Sequence, residues 1–194
     1  MARLRELIEK INDAMERAEA AGFELANGFA LATATRGARP SVRIVLLKAV
    51  DERGFVFYTN LESRKSRELS ENSFAAACFW WPQLQEQVRV EGTIEKVSDD
   101  EADSYFATRP RGSQLGAWAS QQSRPLDSRE EMIGRFVERM AEWKGREVPR
   151  PPYWSGYRLV PESIEFWYNR DDRLHDRRLF EREGDDWVET VLQP

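Results

Sequence analysis

The only histidine of this 194-residue chain, His175, stands in the run Asp172-Arg173-Leu174-His175-Asp176-Arg177. Arg173, His175 and Arg177 share one parity, so an extended segment would aim all three at one face. Two guanidiniums and an imidazole crowded there repel unless an anionic or electron-rich group sits among them. The alternative is that Asp171, Asp172 and Asp176 neutralise them at the surface. A second concentration of charge is Ser41–Leu69, SVRIVLLKAVDERGFVFYTNLESRKSREL, with six cations against four anions inside a chain of net charge -5. Its Ser63-Arg64-Lys65-Ser66-Arg67 opens a helical pattern. Cations in a first turn add to the partial positive charge of the free N–H groups, which suits a bound phosphate. The alternative is a solvated basic helix end.

Other candidates are weaker taken singly. Tyr105 and Arg109 lie one helical turn apart, so they face one ligand or stack on each other. Gln87 and Gln122-Ser123 are neutral hydrogen-bonding groups, and Trp167 ends an apolar strand. Arg43 and Lys48, five apart, fall on opposite faces of a regular strand, so a shared ligand requires a bulge or contact at two different ends. The chain has no GxGxxG, phosphate-loop or HExxH pattern and no convincing Ser-His-Asp order, which removes classical dehydrogenase and metalloprotease readings. One cysteine, Cys78, rules out an internal disulfide and a cysteine metal cluster; among Ala75–Ala77 and Phe79 it reads as a buried small hydrophobe.

Strands dominate the elements that must position these groups. Leu4, Leu7, Ile8, Ile11, Met15 and Ala18 recur at helical spacing, with Gly22 as a stop. Phe29, Leu31 and Thr33 alternate with alanines as a strand. Val42–Leu47 and Phe55–Thr59 read as a hairpin about the turn Asp51-Glu52-Arg53-Gly54. Phe74–Trp81 has the continuous apolar run of a fully buried strand. Gln87–Glu95 alternates, with a bulge expected at Gly92. Ser98 with Glu101 and Ser128 with Glu131 are capping boxes, for helices through Phe106 and along the stripe Met132, Ile133, Phe136, Val137, Met140. Thr108–Ser113 reads as a basic loop. Tyr157–Val160, Ile164–Trp167, Leu179–Glu181 and Trp187–Leu192 close the chain as strands. The pattern predicts one domain, 1–194, mainly β with attached helices (α+β): a small β-barrel. With 32% charged and 41% hydrophobic residues, no signal segment and no apolar run long enough for a bilayer, a soluble cytoplasmic protein is expected. Its acidity argues against general nucleic-acid binding.

RIVLLK, FYTN-x-ESRK-x-REL, QVRVEG, YFATRPRGSQLGAWAS-x-QS, EFW and RLHDR together resemble the pyridoxamine 5'-phosphate oxidase family, from about Ala30 to Pro194. The resemblance implies a homodimeric split β-barrel with FMN at the subunit interface and a C-terminal dimerisation and substrate segment at about 153–194. It further implies oxidation of pyridoxamine or pyridoxine 5'-phosphate to pyridoxal 5'-phosphate, with oxygen reoxidising the flavin to give hydrogen peroxide. Carried over by motif, the FMN contacts are Arg43, Ile44, Val45, Leu46, Leu47, Lys48, Tyr58, Thr59, Arg64, Lys65, Gln87, Gln122, Ser123, Trp167 and Arg177. The substrate phosphate would meet Lys48, Tyr105, Arg109 and Ser113. Arg173, Leu174 and His175 would flank the substrate ring, with Arg173 or His175 orienting the amine or alcohol and helping take up its proton. No metal is implied. Two departures stand out: Tyr168-Asn169-Arg170-Asp171-Asp172 replaces a stretch that usually has glutamine and glycine, and the chain begins almost at its first helix, where typical members carry a longer segment, so a more open site is expected. The competing readings are a related flavin oxidase of phenazine-biosynthesis type and a non-catalytic flavin- or pyridoxal-phosphate-binding split barrel.

Overall fold

A computed structural model describes residues 2–194. Its centre is one antiparallel sheet, with strands β1 (Gly28–Ala34), β2 (Pro40–Leu46), β3 (Ala49–Asp51), β4 (Gly54–Asn60), β5 (Phe74–Trp81), β6 (Glu86–Lys96), β7 (Trp154–Tyr168), β8 (Asp176–Glu183) and β9 (Asp186–Leu192). Their order is β2-β1-β5-β6-β7-β4-β3, with β8 and β9 added beyond β7. The 15-residue β7 organises it: β6 runs along one edge, while the other edge pairs first with β4 and then with β8. The sheet therefore forks, and it curls until the Lys48 N–H donates to Val56 O at 2.8 Å. This is a curled half-barrel, mainly β with helices.

The inner face carries the core: Phe29, Leu31, Phe55, Phe57, Phe79, Trp81, Val90, Leu159 and Ile164 are each 1% exposed or less. Helix α1 (Ala2–Ala20) closes it with Leu7 and Ile11, because its apolar positions fall on one stripe. At Gly92 the register of β6 against β7 shifts, as expected of the bulge; a Cβ there would lie 2.0 Å from Val160 O. Helices α2 (Arg64–Glu71), α3 (Asp99–Thr108) and α5 (Arg129–Glu142) start where expected, with Ser63, Ser98 and Ser128 accepting from the N–H three residues on.

Three expectations need correction. Val42–Leu47 does not pair with Phe55–Thr59: β2 pairs with β1, and the tight turn joins β4 to the separate β3. The direction change at Leu47–Lys48 removes the parity conflict between Arg43 and Lys48. Phe74–Trp81 is buried on one face only; Phe74 and Trp80 are exposed on the other, where Cys78 is half-buried rather than buried. The expected loop at Thr108–Ser113 is a short turn at Arg109-Pro110 followed by α4 (Arg111–Ala119). On α5 the expected stripe forms: Phe136 packs against the cluster of Phe106, Leu115, Val148 and Trp154, while Ile133, Val137 and Met140 stay half exposed.

Candidate active site

Strand β2 is a sheet edge, and between it, the ends of β4 and α2, and the pair α3–α4 lies a cleft of about 700 Å³. Arg43, Lys48, Lys65 and Arg109 line it, and no carboxylate does. So one-sided a lining raises the local concentration of anions and strengthens their binding.

Lys65 lies in the first turn of α2 but is turned inward, 8% exposed. Its Nζ donates to Thr59 Oγ1 (2.9 Å), Ser63 Oγ (3.2 Å) and Gln122 Oε1 (2.9 Å). These are neutral acceptors, so burial, together with the nearby Arg43 charge, pushes its pKa down to about 8. Arg43 is held on several sides, donating to Leu31 O, to Thr33 Oγ1 at 2.6 Å, to Ser41 Oγ and to Glu68 Oε2 at 3.3 Å. Burial alone would raise the Glu68 carboxyl, but hydrogen bonds from Ser41, Thr33, Arg64 and Arg43 outweigh it and hold the pKa at about 2. Arg64 turns outward to this same carboxylate (Nε to Oε1, 2.8 Å) and does not line the cleft.

Opposite, Tyr58 stacks on Tyr105 with centroids 4.0 Å apart and on Trp154 at 5.3 Å. Burial, then the charge of Glu101, pushes the Tyr58 phenol up to about 12, so it stays protonated. Tyr105 and Arg109 both reach the cleft, but the guanidinium lies over Trp154 (4.7 Å) and Phe106 (5.5 Å) instead of Tyr105. Arg109 Nη1 is buried without a hydrogen-bond partner, and burial lowers the pKa of the group. An orphaned cationic donor in a cleft whose charged groups are all cations fits a phosphate. Ile44, Val45, Leu46, Thr59, Ser113 and Gln122 also line it, whereas Leu47 points into the core and Ser123, at φ +70°, is outside it.

The remaining candidates form a second group away from this cleft. Gln87, Trp167 and Arg177 are neighbours in one row across β6, β7 and β8. None lines the cleft, and neither do Arg173, Leu174 and His175. Arg177 Nε donates to Glu165 Oε1 at 2.8 Å, and the buried Glu165 also takes Arg89. The His175 ring leans on Trp167, centroids 4.5 Å apart, and its Nδ1 accepts the Arg170 N–H at 3.3 Å, which leaves Nε2 to carry the proton of the neutral ring. The extended segment expected here is interrupted: Asp171–Arg173 form a 3-10 turn, with Asp172 at φ +56° and Arg173 at φ +61°. Parity therefore fails for Arg173, which is exposed and makes no hydrogen bond or ion pair among the described residues. The neutralisation alternative fails in detail too, since Asp176 pairs with Arg170 and Arg178.

Glu68 and Trp154 escaped the sequence reading. Glu68 sits four residues after Arg64, a visible ion-pair spacing, but nothing announced that it is buried; Trp154 carried no signal. No group of His, Cys, Asp and Glu suited to a metal ion occurs among the described residues.

The architecture is that of a split barrel, and comparison with known proteins makes the class definite. Residues 15–144 match the family model described as pyridoxamine 5'-phosphate oxidase, and residues 154–194 match the pyridoxine 5'-phosphate oxidase C-terminal dimerisation region. The chain is 58% identical to the pyridoxine/pyridoxamine 5'-phosphate oxidase of Rubrobacter xylanophilus, over 92% of this chain and 82% of the relative. It is 52% identical to that of Myxococcus xanthus, over 96% and 91%. Among solved structures, PhzG from Burkholderia lata, in complex with tetrahydrophenazine-1-carboxylic acid, superposes with a TM-score of 0.91 at 36% identity, covering 96% of this chain and 92% of that one. An FMN-binding, pyridoxamine 5'-phosphate oxidase-related protein from Nostoc punctiforme shares the fold, with a TM-score of 0.77 at 19% identity and 96% coverage of both. The chain belongs to the pyridoxamine 5'-phosphate oxidase family of oxidoreductases.

Proposed function

We propose that this chain, as a single split-barrel domain, binds FMN and oxidises pyridoxamine and pyridoxine 5'-phosphate to pyridoxal 5'-phosphate in the cytoplasm, with oxygen as acceptor and hydrogen peroxide as product. With the alcohol, two hydrogens pass to oxygen; with the amine, water also enters and ammonia leaves. The observation that carries this reading is the cleft with four cations, no carboxylate and a buried, unpartnered Arg109 donor. FMN and substrate each bring a phosphate, so two anions share it. Lys65, with Arg43 and Gln122 beside it, would hold the flavin phosphate; Arg64 supports that end through Glu68. Lys48, Arg109, Tyr105 and Ser113 would hold the substrate phosphate. FMN, when bound, supplies the redox chemistry, accepting a hydride from the substrate and passing the electrons to oxygen.

The second group belongs to the same site through a second copy of the chain. The outer sheet face carries Val42 and Ile44 at 67% exposure and Phe74 at 60%, an apolar patch that a homodimer covers. In that dimer Arg173 and His175 of one copy orient the substrate amine or alcohol over the cleft of the other, with Trp167, Gln87 and Arg177 against the flavin. Proximity and alignment are then the protein's main contribution.

The high structural similarity to PhzG favours one further reading, oxidation of another reduced ring. Steady-state turnover on phosphorylated and unphosphorylated vitamers separates the two. Peroxide and aldehyde formation from pyridoxamine 5'-phosphate, with little from pyridoxamine, is expected; bound FMN with no turnover on either phosphorylated vitamer would contradict the proposal.

A further inference from the structure

Helix α3 brings Tyr105 and Arg109 to the cleft, yet only Ala102 and Phe106 of its ten residues are buried. Ring contacts, Tyr105 on Tyr58 and Phe106 on Trp154, hold its C-terminal half. The rest of the grip is ionic and comes from two arginines outside the helix. Arg150, in the lead-in to β7, donates from Nε to Asp103 Oδ1 at 2.5 Å and from Nη2 to Asp99 Oδ1 at 3.0 Å. Its Nη1 is anchored on Trp154 O at 2.8 Å, beside the ring that carries Arg109. Arg158, within β7 and 2% exposed, donates from Nη2 to Glu101 Oε1 at 2.6 Å and from Nη1 to Asp51 Oδ1 at 3.0 Å. Glu95 lies 3.5 Å from its Nε. Asp99 and Asp103 are one turn apart on one flank of α3; Glu101 and Tyr105 are one turn apart on another. The helix is thus gripped on two flanks by side chains rooted in the barrel. Neither arginine lines the cleft.

We propose that Arg150 and Arg158 are positioning residues that set α3, and through it Tyr105 and Arg109, for recognition of the substrate's phosphate. The inference rests on the function proposed above. Its consequence is selective: loosening the clamp weakens binding of the phosphorylated pyridine while flavin binding at α2 and β2 is untouched.

The test uses the FMN-loaded protein and the variants Arg150→Met, Arg150→Lys, Asp103→Asn and Glu101→Gln. Asp99 and Asp103 are largely exposed, so Asp103→Asn cuts into the Arg150 arm without touching the core, whereas Arg150 itself is mostly buried and its variants are checked by thermal unfolding. Arg150→Met is expected to raise KM for pyridoxamine 5'-phosphate about fivefold to tenfold with kcat little changed, the size of a typical local coupling. Equilibrium binding of pyridoxal 5'-phosphate falls by the same factor, whereas binding of pyridoxal and of FMN does not move. Arg150→Lys recovers part of the loss, Asp103→Asn with Arg150→Met is no worse than Arg150→Met alone, and Glu101→Gln repeats the effect through the other arm. Unchanged pyridoxal 5'-phosphate binding, or an equal loss for pyridoxal and FMN, overturns the inference alone. A wild-type protein that binds pyridoxal 5'-phosphate no better than pyridoxal overturns the proposed function, and this inference with it.

Discussion

The two groups of candidate side chains are built in opposite ways. In the cleft, Lys65 has three oxygen acceptors and Arg43 four partners, and Tyr58 is held between Trp154 and Tyr105. In the C-terminal group Arg173 has none, Leu174 is 69% exposed, and Asp172 and Arg173 sit in the left-handed region. Each non-glycine residue held there costs on the order of 1–3 kcal/mol and persists when its surroundings fix it. On the function proposed above, the first region is completed within one chain and the second against another copy. That contrast is what a site shared between two copies requires.

The largest effect that would break the contrast lies in the second group. Arg173→Ala or His175→Ala is expected to lower kcat by about 10²–10⁴-fold, the usual span for lost orientation and proton transfer, with FMN affinity retained. Steady-state rates and flavin titration on the same samples check it. In the cleft, Lys65→Met should weaken FMN binding roughly 10- to 100-fold, the loss of one charge-assisted hydrogen bond, without a matching loss of apo-protein stability.

A smaller, sharper effect is pH dependence. The Lys65 amine titrates at about 8 in the folded chain, below its ordinary 10.5, so it carries its charge below about pH 8 and loses it above. FMN affinity should therefore decline as pH rises through about 8, and Lys65→Arg, which stays charged, should flatten that decline. Apo-protein stability runs the other way: folding opposes the charge on this amine, so its unfavourable contribution is full below about pH 8 and is relieved as pH rises towards 10.5. Smallest is Gly156→Ala. A Cβ there would sit 2.7 Å from the Tyr58 ring, and displacing that ring should cost about 1–3 kcal/mol by thermal unfolding.

Where local chemistry decides structure, the sequence was readable. The helix start at Ser63, the caps at Ser98 and Ser128, the bulge at Gly92 and the α1 stripe are each set by residues within a turn or a strand of one another. The turn at Asp51–Gly54 was legible but its partner strand was not, because the three-residue β3 is too short to announce itself and β2 turns back on β1 instead of on β4. Helix α4 was hidden by Pro110, Gly112 and Gly116, which read as loop residues, although Pro110 stands at the N-cap, where its missing N–H costs nothing. The site divided along the same line. Lys65 was announced by its place at a helix start, but its inward turn depends on Thr59 and Gln122, distant in sequence. The parity of Arg173, His175 and Arg177 assumed an extended segment that the turn at Asp171–Arg173 interrupts.

The most direct test of a shared site is complementation between two inactive variants, Lys48→Ala in the cleft and Arg173→Ala in the second group. Differently tagged chains are co-expressed, and the mixed dimers are purified and assayed for peroxide release with pyridoxamine 5'-phosphate. If each site takes its cleft from one copy and its C-terminal group from the other, a mixed dimer has one intact site and should show about half the wild-type rate, since a two-fold dimer holds two equivalent sites. If both groups act within one chain, every site carries a lesion, and a mixed dimer as inactive as its parents would contradict the shared site.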